Sequence, residues 1–342
     1  MGSTKFIMDL REFNFNTLNK YIVDHSKTLY ISTFNFDIDL KLTDFISRFN
    51  KVVLVLNPVP FAEQLKRIES VQERYSSNNL FKLLKIDNIE VSFNRYLHAK
   101  IVGTEEALYV GSSNFSYHSK DNIEAGFLST SRVQNENIIS ALNTNVIENS
   151  LSLRCLINTS MYHQGTNTIQ QSIDIVLPMY EDLLNIIKLY KSIINQTHPE
   201  RPQLCLEHIS LVQEQLTKIS KLLSQTFNND TLKVEEFLIS AKWSTNLQSS
   251  KNKIEKYVKA STRLQQQAVD ANLYDKLTLE DYPRFFGEGS IDDFVTHSNA
   301  FEKALQYSKE ISQDLLTETK KLQSYLYSLS TIAKHYRIYT KK

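Results

Sequence analysis

HAKIVGTEEALYVGSSNFSYHSKDNIEAGF, running from His98 to Phe127, contains three short strand-like runs in succession. Ala99–Val102 and Ala107–Val110 are β-branched and aliphatic, and a hairpin-like Glu105-Glu106 turn separates them. The third run begins at Asn122 and reaches Leu128. Residues two apart in a strand point to the same face, so His98 and Lys100 project together from one strand end. Working outward, Thr28–Phe36 (TLYISTFNF), Lys51–Leu56 (KVVLVL) and Ile89–Phe93 are further strand candidates. The second of these stops at Asn57-Pro58-Val59-Pro60. Asn16–Asp24, Leu42–Phe49 and Phe61–Leu84 read as helices between them. Strands alternating with helices predict an α/β sandwich with a mixed sheet over residues 1–150.

The same stretch resembles the signature of the phospholipase D superfamily. That signature is His-x-Lys, four residues, Asp, about six residues, then Gly-Ser or Gly-Gly, any residue, Asn. His98 and Lys100 match the first pair, and Gly111-Ser112-Ser113-Asn114 matches the close. Asn122 and Glu124 match the Asn-x-Glu pair that many members carry. Two departures stand out. Glu105 replaces the aspartate, and five residues rather than six separate it from Gly111. The resemblance covers roughly residues 10 to 135 and implies a phospholipase D-like fold and a phosphodiesterase site. In that site His98 attacks phosphorus and forms a phosphohistidine, splitting one difficult step into two. Lys100 and Asn114 stabilise charge on the non-bridging oxygens. Gly111 lets the backbone turn close to a ligand, and Ser112, Ser113 and Asn122 are candidate substrate contacts. Glu124 orients the histidine ring and Glu105 is structural support. The resemblance implies no cofactor and no metal.

The family reaction uses two histidines, a neutral one that attacks and an imidazolium that protonates the leaving oxygen. This chain carries one motif. An isologous homodimer would bring His98 of two copies face to face. Single-motif members are typically dimeric nucleases, so the resemblance implies an endonuclease with a DNA or RNA substrate. A role in defence against foreign DNA (antiphage defence) fits that expectation. A phospholipase or phosphatidyltransferase is the alternative enzyme, and a silent interaction protein using its helical half is the alternative from another class. His118 lies near the motif, where a surface loop histidine is the plainer reading.

Past residue 150 the texture changes. No glycine occurs between Gly165 and Gly287, and apolar residues recur at helical spacing. Leu183, Ile186, Ile187, Tyr190, Ile193 and Ile194 form one face. Phe301, Leu305, Leu315, Leu322, Leu326 and Leu329 approach heptad spacing, with Ser308, Ser312 and Thr319 set into the same seam. Residues 151–342 therefore predict an all-α helical bundle. Its expected roles are dimerisation, regulation, or docking of nucleic acid or a partner protein. Asp281–Asp293 (DYPRFFGEGSIDD) reads as an ordered loop between helices. Lys253, Lys256, Lys259 and Arg263 are spaced by three or four and share a helix face. They are candidate nucleic-acid contacts, against the plainer reading of a solvated face.

Composition bounds the rest. The net charge is +1, so no broad basic surface announces a nucleic-acid partner, and a local patch has to serve. Cys155 and Cys205 are too few for a disulfide framework and form no Cys-x-x-Cys pair. His163, His198, His208, His297 and His335 have no metal-ligand spacing. The N-terminal residues carry no signal-like apolar run, and no window reaches the roughly 18 apolar residues of a membrane span. The expectation is a cytoplasmic protein with no membrane partner.

Overall fold

A computed structural model of the chain describes residues 3–9, 18, 20–36, 40–67, 79–83, 86–112, 124–157, 169–198, 200–226, 238–240, 242–270 and 288–340. Eight strands form one mixed sheet: β1 Thr4–Asp9, β2 Thr28–Thr33, β3 Lys51–Leu56, β4 Ile89–Phe93, β5 Lys100–Gly103, β6 Leu108–Gly111, β7 Glu124–Ser129 and β8 Leu151–Ser152. Their order across the sheet is β1-β7-β6-β5-β2-β3-β4-β8. β2, β3 and β4 run parallel, and every other neighbour is antiparallel. The helices of this part are α1 Leu40–Ser47, α2 Val59–Arg67, α3 Asn79–Leu83, α4 Arg132–Asn145 and α5 Leu153–Ile157.

The residue types explain the sheet. β3 (KVVLVL) is buried from Val52 to Leu56 because a central parallel strand is covered on both faces. β4 alternates buried and open positions, and its Glu90 pairs with Lys51 of β3 at 3.0 Å. On one face Ile139 and Leu142 of α4 pack on Ile101 and Leu108, with Tyr30 and Val110 at the margin. Each such buried aliphatic side chain contributes about 1.5–3 kcal/mol. The β5–β6 hairpin needs Gly103, whose φ of 146° is left-handed and whose added Cβ would lie 2.1 Å from the Ala107 carbonyl oxygen. Buried Asn135 then ties the hairpin to α4. Its Nδ2 donates to the carbonyls of Glu105 (3.1 Å) and Ser129 (3.2 Å).

Four long helices follow: α6 Ile169–Ile194, α7 Arg201–Thr226, α8 Lys242–Asp270 and α9 Glu288–Thr340. None of the helices among the described residues is long and apolar enough to cross a membrane. The chain divides into two compact units that are not continuous in sequence. The sheet unit takes 1–174, 226–236 and 324–342, and the helical unit takes 175–225 and 237–323. The last turns of α9 thus belong with the sheet. There Tyr325 donates to the Phe93 carbonyl (3.4 Å), Ser330 donates to Asp174 (2.6 Å), and Tyr336 stacks on Phe81 with centroids 6.4 Å apart.

Within the helical unit, Leu183, Ile187, Tyr190 and Ile194 are buried as their spacing predicts. The seam of α9 is buried too, including its polar members. Ser312 and Thr319 satisfy their hydroxyls on the helix backbone, donating to Lys309 (2.9 Å) and Leu315 (2.7 Å). Three sequence readings change. Of Asn16–Asp24, Leu18 is helical and Lys20–Tyr21 form a turn closed on its carbonyl, so the helix does not run through Asp24; residues 16, 17 and 19 lie outside the described residues. Of Asp281–Asp293, residues 288 onward are the first turns of α9, and the rest lies outside the described residues. Strands β1 and β8 were not anticipated; β8 has only two residues, too short to carry a period.

Candidate active site

His98 sits at the end of a loop held by two buried amides. Asn57, just past β3, donates through Nδ2 to the Arg95 carbonyl (3.3 Å) and accepts the Val59 N–H at 3.1 Å. Asn94, just past β4, accepts the Tyr96 N–H at 2.9 Å. Its Nδ2 faces the Asn149 carbonyl and the Ser150 hydroxyl, each at 3.4 Å. Leu97 plugs into the core, and Ser32 of β2 donates to the Ala99 carbonyl (3.1 Å). The loop is anchored on both sides of His98, whose ring is left exposed.

Lys100 opens β5 and is 4% exposed, which is rare for a lysine. Its ammonium donates to the His98 carbonyl oxygen at 2.6 Å. It also lies 3.1 Å from Nδ1 and 3.4 Å from Nε2 of the same imidazole. A buried cation and an exposed imidazole therefore face one point in space at the carboxyl ends of parallel β2, β3 and β4. Open α/β sheets bind ligands at that end.

The register explains the glycines. Lys100 is paired with Gly111, and Gly111 with Gly126. The buried ring of Tyr109 lies across both glycines. A Cβ at Gly111 would meet the Tyr109 hydroxyl at 2.1 Å and the Ala125 carbonyl oxygen at 2.7 Å. One at Gly126 would meet the ring at 2.5 Å. Gly111 is the last residue of β6, and its lack of a side chain makes room for Tyr109. Glu124 is the first residue of β7, paired with Asp9 of β1.

Ser112 is exposed and helps close the sheet. Its N–H donates to the Ala125 carbonyl (2.9 Å), and its hydroxyl accepts the Ala125 N–H (3.0 Å). Ser113, Asn114, His118 and Asn122 lie outside the described residues. Glu105 is at the far end of β5, in the hairpin turn. Its carboxylate lies 3.4 Å from Lys27 and 3.7 Å from Arg132. Glu136, at 2.8 Å, pushes the Arg132 guanidinium above its ordinary pKa, with Glu105 adding to the effect. Lys253, Lys256, Lys259 and Arg263 are all exposed on α8.

Sequence reasoning missed the aromatic surroundings. The Phe34 ring centroid is 6.1 Å from that of His98. Tyr96, two residues before His98, is 62% exposed, and the Arg95 guanidinium lies 4.4 Å above its ring. The signal for Phe34 was the β2–β5 pairing, which no single strand reveals. The strand period sets Tyr109 and Gly111 on one face, but the placement of its ring over Gly126 as well depends on the β6–β7 pairing.

No protein-family model matches the sequence, and no curated protein is significantly similar to it. Solved structures do resemble the sheet-bearing part. NucT from Helicobacter pylori matches with a TM-score of 0.33 and 13% identity, over 45% of this chain and 100% of its own. The phospholipase D family member Nuc from Salmonella typhimurium matches with a TM-score of 0.33 and 11% identity, over 44% of this chain and 98% of its own. TrmBL2, an archaeal chromatin protein with a novel mode of DNA binding, matches with a TM-score of 0.31 and 11% identity, over 44% of this chain and 53% of its own. At such identities and scores these likenesses say nothing about substrate or chemistry, and the site is read from its own residues.

Proposed function

We propose that the chain is a phosphodiesterase that cuts nucleic acid through a phosphohistidine on His98. The observation that carries this reading is the His98–Lys100 pair, an exposed imidazole with a buried ammonium 3.1 Å from Nδ1 and 3.4 Å from Nε2. An ammonium at that distance reaches an oxygen of a phosphorus bonded to the ring. With the cation supplied by the protein, the mechanism calls for no metal.

The steps balance as two in-line displacements. Nε2 of neutral His98 attacks phosphorus, and the bond to the leaving oxygen breaks. That oxygen takes its proton from a second histidine, which is His98 of a second copy of the chain. Water then attacks phosphorus, giving its proton to that second histidine, as the phosphorus–nitrogen bond breaks and releases neutral His98. Attack through Nε2 needs the proton on Nδ1, and Glu124, the Asn-x-Glu carboxylate that opens β7, is the group we assign to hold it there. In the free chain Lys100 stands beside Nδ1, and substrate phosphate draws the ammonium away.

The test is to trap the intermediate. A labelled oligonucleotide is mixed with the full chain, and the reaction is quenched in alkali, where phosphohistidine survives. The expected result is a nucleotide adduct on the peptide containing His98, absent from His98→Ala. Turnover with an adduct on another residue, or with none at any quench time, would overturn the phosphohistidine route.

A further inference from the structure

Several cations elsewhere in the molecule are held in ion pairs. Arg132 pairs with Glu136 at 2.8 Å, Lys218 with Glu214 at 2.7 Å, Arg201 with Glu302 at 3.0 Å and Lys334 with Asp174 at 3.1 Å. Helix α8 departs from this pattern. It holds six basic residues against two acidic ones, Glu255 and Asp270, in a chain whose net charge is only +1. Among the described residues from Lys242 to Gln266 its exposed side chains are Lys, Arg, Ser, Thr, Asn and Gln, and the one acidic side chain in that span, Glu255, is half-buried. Lys253, Lys256, Lys259 and Arg263 have no ion-pair partner among the described residues. At 1.5 Å per residue they extend over about 15 Å, within an arc of about 120°. Val258, Lys259, Thr262, Arg263 and Gln266 also line an open groove along the helix.

We infer that this face of α8 is a binding surface for the phosphate backbone of nucleic acid. A row of unpaired cations loses little by meeting phosphates and gains by releasing their condensed counterions. The interleaved hydroxyls and amides are donors that bond phosphate oxygens without reading sequence. The competing polyanion is an anionic membrane, and the apolar residues argue against it. A membrane-surface helix needs large apolar side chains free to insert. On α8, Trp243, Leu247 and Ile254 are buried and Tyr257 and Val258 are half-buried, and no large hydrophobic side chain is exposed among its described residues. The surface binds without regard to base sequence and does not depend on the chemistry of His98.

The experiment uses the full chain carrying His98→Ala, so that bound nucleic acid stays intact. Fluorescence anisotropy is measured on labelled 30-mers, single- and double-stranded, from 50 to 200 mM salt. The comparison chains carry Lys253→Gln, Lys256→Gln, Lys259→Gln and Arg263→Gln together, or arginine at the three lysines. Four phosphate contacts contribute a slope of about −3.6 in log K against log salt on duplex, or about −2.8 on single strands. The stripe thus accounts for an affinity loss of about 150-fold on duplex, or about 50-fold on single strands, over that salt range. The glutamine chain should lose that part of the slope, and the arginine chain should keep it. Helix content by circular dichroism checks that both chains are folded. No binding by the parent, or equal affinity and slope in parent and glutamine chain, would overturn the inference. So would substitutions that release the chain only from vesicles containing phosphatidylserine. Cleavage by the chain with His98 intact is scored separately, so a failure of the nuclease reading stays distinct from a failure of the stripe.

Discussion

Gly111→Ala puts a methyl group into the ring of Tyr109. The new carbon would lie 2.1 Å from the tyrosine oxygen, 2.4 Å from Cζ and 2.7 Å from the Ala125 carbonyl oxygen. Carbon contacts settle at about 3.5–4.0 Å, so both the ring and the backbone must shift. The ring cannot slide toward β7, because it already fills the space above Gly126. Overpacking of this kind costs about 1–3 kcal/mol, and the immovable carbonyl sets this case near 3. Tyr109→Leu removes the ring and leaves only the carbonyl contact, so the same alanine should then cost about 1 kcal/mol. The coupling between the two sites is therefore about 2 kcal/mol. Trp243, the only tryptophan, is in the helical unit and is blind to this change. Hydrogen exchange of peptides from β5, β6 and β7 reads the sheet directly. Equal alanine costs in the two backgrounds, within about 0.5 kcal/mol, would refute the idea that Gly111 exists to seat Tyr109.

Further predictions concern chemistry and burial. Lys100→Gln should lower kcat by about 10²–10³-fold with little change in KM, because its charge is needed most in the transition state. Asn94→Ala should destabilise the sheet unit by about 1–3 kcal/mol, and it should slow cleavage by loosening the loop that carries His98. Burial pushes the Cys205 thiol up from 9.0 to about 11 and holds the Tyr190 phenol well above its ordinary value. Both groups are neutral when protonated, and the unfolded chain gives up these protons first. The stability they support is full below pH 9 and falls as pH rises through about 11, which urea midpoints at pH 8 and 10 will register. Cys205→Ala should flatten part of that fall. In native protein, Cys155 should react with a thiol reagent at pH 8 while Cys205 does not.

The sequence made the core of the sheet legible because its strands are short, β-branched and bounded by turn residues. β3 and β4 have the bounds read from the residues alone. β1 was missed because TKFIMD owes its strand to pairing with β7, a partner more than a hundred residues away. The start of α9 was missed because Gly289 sits in its first turn, where local propensity argues for a loop. In the site, the side-by-side placement of His98 and Lys100 followed from their spacing. What could not follow was the packing around them: the amide clamps of Asn57 and Asn94, the ring of Tyr109 over two glycines, and Phe34 beside the imidazole. Each depends on a contact between distant strands. The exposure of the α8 cations was half legible, since periodicity gave one face and only the fold showed that face to be open to solvent.

The most direct test of the account is cleavage of single- and double-stranded DNA and RNA in EDTA, by the intact chain and by His98→Ala, with the molar mass of each measured by light scattering. The account predicts cutting by a dimer that EDTA leaves unchanged and His98→Ala abolishes, with a bell-shaped dependence on pH from one neutral and one charged histidine. Cutting that requires Mg²⁺, survives His98→Ala or comes from a monomer would contradict it.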